Sequence, residues 1–213
     1  MDQAGCEQTC GSQGVLPTEC PAPHPTLLGR CPCYARPVVE RRVRVSVRVF
    51  REPGALLARM AHDLELAVQQ LSVRETENHL LEVDIDPASL TVTGSLTDGV
   101  VDPSRLDASQ RAEIEKNVRT QVLKTERFPR ARFEGEFDPT RTPVPVRGTL
   151  ELVGKRQPIA FELSREAEWF VGTVTVTPSR WGIQPYRALL GALKLRDAAV
   201  LRVEVEATHS PKA

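Results

Sequence analysis

FPRARFEGEFDPTRTPVPVRGTLELVGKRQPIAFEL, from Phe128 to Leu163, places apolar residues on every second position and marks its turns with Pro and Gly. Phe133 and Phe137 point one way, and Arg132, Glu134 and Glu136 point the other. Val146, Gly148, Leu150 and Leu152 form the next apolar set, followed by Ile159, Phe161 and Leu163. Period-two alternation describes strands with one wet face and one apolar face. A sheet built this way buries only one side, and the simplest way to shelter that side is to curl the sheet around it.

The same texture continues outward in both directions. Downstream, Phe170, Gly172, Val174 and Val176 are followed by Leu201, Val203 and Val205, which alternate with Arg202, Glu204 and Glu206. Upstream, Val43, Val45, Val47 and Val49 alternate with arginines and a serine, and Glu52-Pro-Gly54 ends that run. After a possible helical turn over 55–61, strand spacing resumes at Leu64, Leu66 and Val68. Leu81, Val83 and Ile85 then precede Leu90, Val92, Gly94 and Leu96 across Asp86-Pro87. The expected fold is all-β: an antiparallel closed barrel of about eight strands, a size whose interior is either just filled by side chains or holds one small ligand. Gly148 and Gly172, at inward positions, either leave room inside or mark corners where a strand bends.

One amphipathic helix interrupts the strands, from about Asp107 to Lys124. Asp107 can cap its free amides with Gln110 in the reciprocal position, and Ile114, Val118 and Val122 form a stripe along one face. It is expected to lie across the barrel, and Phe128-Pro129 ends the segment.

Across the 213 residues, 28 Lys and Arg balance 28 Asp and Glu, so there is no electrostatic case for nucleic acid or an anionic membrane surface. No apolar run reaches the ~18 residues of a membrane-spanning helix, and a soluble protein is expected. Residues 1–38 are polar and rich in Pro and Gly, without the basic start and apolar stretch of an export signal, which as written implies a cytoplasmic protein. All five cysteines, Cys6, Cys10, Cys20, Cys31 and Cys33, lie there. Cys6 and Cys10 have zinc-ligand spacing and His24 could complete a set, but the odd count and irregular intervals favour a disordered tail with incidental thiols. The domains expected are thus this tail, a barrel over 39–208 and a short C-terminal tail over 209–213. No metal and no cofactor are expected.

Candidate catalytic groups are few. His62-Asp63 offers an acid–base or metal pair, yet neighbours on a strand face opposite ways. Asp84 and Asp86 share a strand face as a glycosidase-like pair would, on the face that solvent normally covers. Trp181, Tyr186 and Arg187 either line a cavity entrance or pack a Gly-containing turn. No Gly-x-Ser-x-Gly elbow or phosphate loop occurs in the barrel region.

Three segments, taken in order, resemble the YceI-like proteins: Leu123-Lys-Thr-Glu-Arg-Phe-Pro-Arg-Ala-Arg-Phe133, Val146-Arg-Gly-Thr-Leu-Glu-Leu-Val-Gly-Lys-Arg-Gln-Pro-Ile159 and Ser179-Arg-Trp-Gly-Ile183. His62-Asp63 and Ile85-Asp86-Pro87-Ala88-Ser89-Leu90 also match family segments, so the resemblance spans about Val43 to Ala207. Arg180 stands directly before Trp181 where the family usually has intervening residues, and the export signal common in the family is missing. The resemblance implies an extended lipocalin-like barrel whose apolar cavity holds a polyisoprenoid or an isoprenoid quinone for storage or transport, with no catalysis. The cavity is then expected to be lined by Phe133, Phe137, Val146, Leu150, Phe161, Phe170, Val174 and Trp181, with His62 and Arg180 at the lipid head. The expected partner is that lipid, with neither nucleic acid nor an integral membrane segment, and a homodimer is left open. The rival readings are an interaction barrel with a filled core and an enzyme using His62 and Asp63.

Overall fold

The four-valine alternation beginning at Val43 becomes β1, Val43–Arg51, in a computed structural model that describes residues 42–53, 62–76, 78–188 and 193–207. These residues belong to one compact unit, Arg36–Ala213. The expectations for the N-terminal tail with its cysteines and His24, for the turn over 55–61 and for the last residues, 209–213, lie outside the described residues.

The strands that follow are β2 (Asp63–Val68), β3 (Leu71–Glu75), β4 (Leu80–Ile85), β5 (Leu90–Thr97) and β6 (Val100–Asp102). The α-helix, α1 (Ala108–Asn117), leads into β7 (Ala131–Phe137), β8 (Val144–Leu152), β9 (Lys155–Glu166), β10 (Trp169–Val176), the two-residue β11 (Arg187–Ala188) and β12 (Leu193–Glu206). The hydrogen-bonded order is β3-β4-β7-β8-β9-β10-β12-β1-β2-β5-β6, antiparallel at each pairing, with β11 beside β12. The class is the all-β antiparallel one the alternation predicts and agrees with the lipocalin-like barrel the resemblance implies, but the sheet is a curled half-barrel rather than a closed barrel.

Twelve strands occur among the described residues rather than about eight. The extra count has a specific origin. β2 and β3 are one run broken at Gln69-Gln70, and β4 and β5 are broken opposite it at Pro87–Ser89, a single 3₁₀ turn capped by Asp86. Gln69 N donates to Ser89 O at 3.3 Å and Asp86 N to Gln70 O at 3.1 Å, so the hairpin stays joined while it bends. Its first half pairs with β1 and its second half with β7, which places the two ends of the ladder on one bent hairpin.

The helix start is as the sequence predicts: Gln110 N donates to Asp107 Oδ1 at 2.8 Å, and Asp107 N donates to Gln110 Oε1 at 3.0 Å. Its end differs. The α-helix stops at Asn117 and Val118–Val122 forms one wider π turn, closed by Leu123 N donating to Val118 O at 2.9 Å. The wider turn divides the apolar stripe. Ile114 and Val118 pack on Leu64, Leu66, Leu90, Val92 and Leu106, whereas Val122 reaches the larger cluster around Phe133, Val146, Leu150, Val176 and Trp181. Glu115 accepts from Val92 N at 2.9 Å and fixes α1 along β5.

Candidate functional site

An antiparallel sheet gives every strand two ends, and in this sheet the ends are furnished differently. Towards the C-terminal half of β1, Val47 and Val49 meet side chains from both apolar clusters, so this half of the interior is filled. Trp181 is its largest fully buried side chain, at 1% exposure, and its Nε1 donates to Leu150 O at 2.9 Å. The turn that brings it there, Pro178–Trp181, is closed by Gly182 with φ +80°, a conformation in which a side chain would be strained, with Ile183 N donating to Pro178 O at 3.2 Å.

Towards the N-terminal half of β1 a cavity of about 220 Å³ remains, and among the described residues no helix residue lines it. It is walled by the inward residues Val43 and Val45 of β1, Val73 of β3, Leu81 and Val83 of β4, and Val203 and Val205 of β12, together with residues of β7 to β10. Many of these positions lie towards one end of the barrel, at the start of β1 and the end of β3 and β12, while Ile85, Leu150 and Val174, towards the far ends of β4, β8 and β10, line its deeper part. Pro139, in the connection from β7 to β8, lines the same rim. Among the described lining residues, Glu75, the last residue of β3, is the single ionisable one.

Seven residues named from the sequence meet in this cavity: Phe133, Phe137, Val146, Leu150, Phe161, Phe170 and Val174. The rings of Phe133 and Phe161 lie 6.5 Å apart and tilted. Three others are placed elsewhere. Trp181 is in the filled half and is not among the lining residues. Arg180 is exposed and exchanges hydrogen bonds with Gln157, donating from Nη2 to Oε1 at 3.2 Å and accepting at its carbonyl from Nε2 at 3.0 Å. His62 lines a separate polar depression with Arg48, Phe50, Asp63 and Arg105. The sequence signal for Glu75 was available, since Leu71, Val73 and Glu75 alternate with Ser72 and Arg74, but β3 is too short and too close to β2 to stand out.

Gly148 does not border the cavity and lies instead where two strands approach closely. It faces Gly135 across the β7–β8 ladder, and a Cβ on Gly148 would come within 2.4 Å of Glu134 O and 2.6 Å of Phe133 Cζ. The strands approach closely there because neither residue has a side chain, and the Phe133 ring covers the pair. Gly172 is comparable, with Glu162 O 2.4 Å from its would-be Cβ.

The carboxylates singled out from the sequence as catalytic candidates all make structural contacts. Arg132 donates to both oxygens of Asp84, at 2.9 and 3.1 Å, and this bond holds the Asp84 carboxyl below the usual carboxylate range. Asp86 accepts from Ala88 N at 2.8 Å and caps the 3₁₀ turn. Asp63 accepts from Arg51 N at 2.8 Å. No group of three or more metal-ligating side chains occurs among the described residues, and no helix there is long and apolar enough to cross a membrane.

The family model described as the YceI-like domain matches residues 56–207. No curated protein matches the sequence. Two solved structures are similar in fold. One is BcnA of Burkholderia cenocepacia, at 15% identity and TM-score 0.51, covering 78% of this chain and 96% of that one. The other is a polyisoprenoid binding domain from Saccharophagus degradans implicated in plant cell wall breakdown, at 11% identity and TM-score 0.51, covering 80% and 97%.

Proposed function

Because the chain belongs to the YceI-like family, we propose that it binds an apolar lipid, a polyisoprenoid or an isoprenoid quinone, in the open half of its barrel, for storage or transport and without chemical turnover. The observation that carries this reading is the cavity wall, about 220 Å³ bounded almost wholly by Val, Leu, Ile and Phe. An apolar wall of this kind has little to offer a polar substrate and much to offer a hydrocarbon chain. Each methylene moved from water into such a site contributes ~0.8 kcal/mol, so several isoprene units bind well with few polar contacts. Selection then acts on length and shape, because the filled half around Trp181 sets how deep a chain can go.

Two further points support the reading. The barrel with a wholly filled core, suited to protein contacts alone, would leave no space between Phe133, Phe161 and Val174, and all three border the cavity. The Saccharophagus domain of similar fold is described as polyisoprenoid binding. The test is native mass spectrometry of the purified protein before and after organic extraction. A lipid-sized adduct removed by extraction and restored by adding geranylgeraniol is the expected result. A protein that carries no adduct and takes up no prenol would overturn the proposal.

A further inference from the structure

Resting on the cavity reading, we infer that the site encloses two to three isoprene units at one end of its ligand, and that Trp181 sets this length by forming the floor. The register of β10 with β12 stacks the inward side chains in layers: Phe170 with Val205, Gly172 with Val203, Val174 with Leu201, and Val176 with Ala199. Members of the first three layers border the cavity, and neither Val176 nor Ala199 does. Both are buried in the cluster that contains Trp181. On β1 the same limit holds, since Val45 borders the cavity and Val47, the partner of Leu201, does not. Trp181 ends the turn Pro178–Trp181 that follows Val176, and its bond to Leu150 O holds the ring against a residue of the cavity wall.

Strand geometry converts these layers into a length. Residues in a strand rise ~3.3 Å each and barrel strands tilt by ~40°, so the step from Phe170 to Val174 descends about 10 Å. An isoprene unit adds four chain bonds of ~1.5 Å, about 5 Å when extended. Two units fill that depth, and a third extends to the rim at Pro139. Units beyond the rim stay in water and add little, because affinity follows the apolar area removed from water. The next layer down, from Val174 to Val176, is another ~5 Å by the same geometry, the length of one more unit. Trp181 fills that layer with the largest of the fully buried side chains, and Phe133, Val146 and Leu150 belong both to its cluster and to the cavity wall. Space released by shortening Trp181 therefore adjoins the cavity.

The experiment measures displacement of fluorescent parinaric acid from the full chain by prenol, geraniol, farnesol and geranylgeraniol, which carry one to four isoprene units, each below its solubility limit. An enclosed methylene is worth roughly fourfold in affinity, so the wild type is expected to gain roughly tenfold or more per unit up to geraniol or farnesol and under about threefold per unit beyond that plateau. Trp181→Leu, which shortens the side chain and keeps the site apolar, is expected to move the plateau one unit longer. Trp181→Met serves the same purpose if that variant fails to fold, since Met fills irregular core gaps. Trp181→Phe, which loses the same hydrogen bond but keeps a ring in place, is expected to leave the plateau where it is. Affinity that climbs steadily through geranylgeraniol in the wild type overturns the length limit, and a plateau unmoved in a folded Trp181→Leu or Trp181→Met variant overturns the role of Trp181. Both results leave lipid binding standing. Failure of parinaric acid to bind, or of every prenol to displace it, overturns the cavity reading and this inference with it.

Discussion

The indole Nε1 of Trp181 donates to the backbone carbonyl of Leu150 at 2.9 Å, while the side chain of Leu150 borders the cavity. One residue of β8 thus separates the filled half of the barrel from the open half, with its backbone tied to the first and its side chain facing the second. Trp181→Phe removes the donor and keeps most of the volume. It is expected to cost about 1–3 kcal/mol, the range for leaving a buried polar group without its partner. Thermal unfolding should show a fall of several degrees, with lipid binding retained because Trp181 does not line the cavity. Trp181→Ala empties a large core site and should cost about 3–5 kcal/mol.

Val174 and Leu201 are register partners that both face the cavity, and the next residue of β12, Arg202, faces outward and donates to Glu204 Oε1 at 2.9 Å. Val174→Trp puts added aromatic volume into the cavity, whereas Arg202→Trp puts it on the wet face. Both variants should fold. Loss of extractable lipid and of binding to a fluorescent polyene is expected for the first alone. Equal binding by the two would place the ligand outside the barrel.

Gly148→Ala tests the close approach of β7 and β8. The added methyl meets Glu134 O at 2.4 Å, and a strand backbone cannot retreat as a flexible side chain can. A loss of about 1–3 kcal/mol is expected, of the size seen for overpacked cores. Val146→Ala, two residues earlier in β8 and almost fully buried, removes volume instead, so the two variants should both melt lower for opposite reasons. Shortening Phe133 to Leu in the Gly148→Ala background should recover part of the loss, because the Phe133 ring is the second contact the new methyl makes.

The Asp84–Arg132 pair predicts a pH dependence. Folding lowers the Asp84 carboxyl relative to its unfolded value, chiefly through the Arg132 hydrogen bond. The unfolded chain therefore takes up its proton first as pH falls. The stabilisation is fully present above the unfolded value, ~3.9 for Asp, and is lost as pH drops through the lower folded value. Asp84→Asn should melt below the wild type at pH 7, and that gap should close only below about pH 4. A gap that is constant from pH 7 to pH 2 would show that the charge of Asp84 plays no part.

Much of this protein is legible in the order of its residues. Alternation at Val43–Val49, Phe133–Phe137, Ile159–Leu163 and Leu201–Val205 states which face each strand buries, because successive side chains of a strand must point to opposite sides. The Asp107–Gln110 capping box is equally local, since both of its hydrogen bonds join residues three apart. From such local rules the sheet, the start of the helix and seven of the cavity residues follow.

Periodicity, however, carries no information on what fills the space the faces enclose. Val47 and Val43 have the same place in the same pattern, yet Val47 packs in the core and Val43 borders a void, because Trp181 and α1 arrive from distant parts of the chain to fill one half only. The bend at Gln69-Gln70, which makes β3 a separate strand, depends on long-range pairing with Ser89 and Asp86. Trp181 could be read from the sequence as lining or as packing, and it was the hydrogen bond to Leu150, thirty-one residues away, that decided for packing. The inward or outward sense of a side chain is set by its neighbours in sequence. Whether the inside is occupied by protein or left for a ligand is set by contacts between segments, and only the tertiary structure decides it.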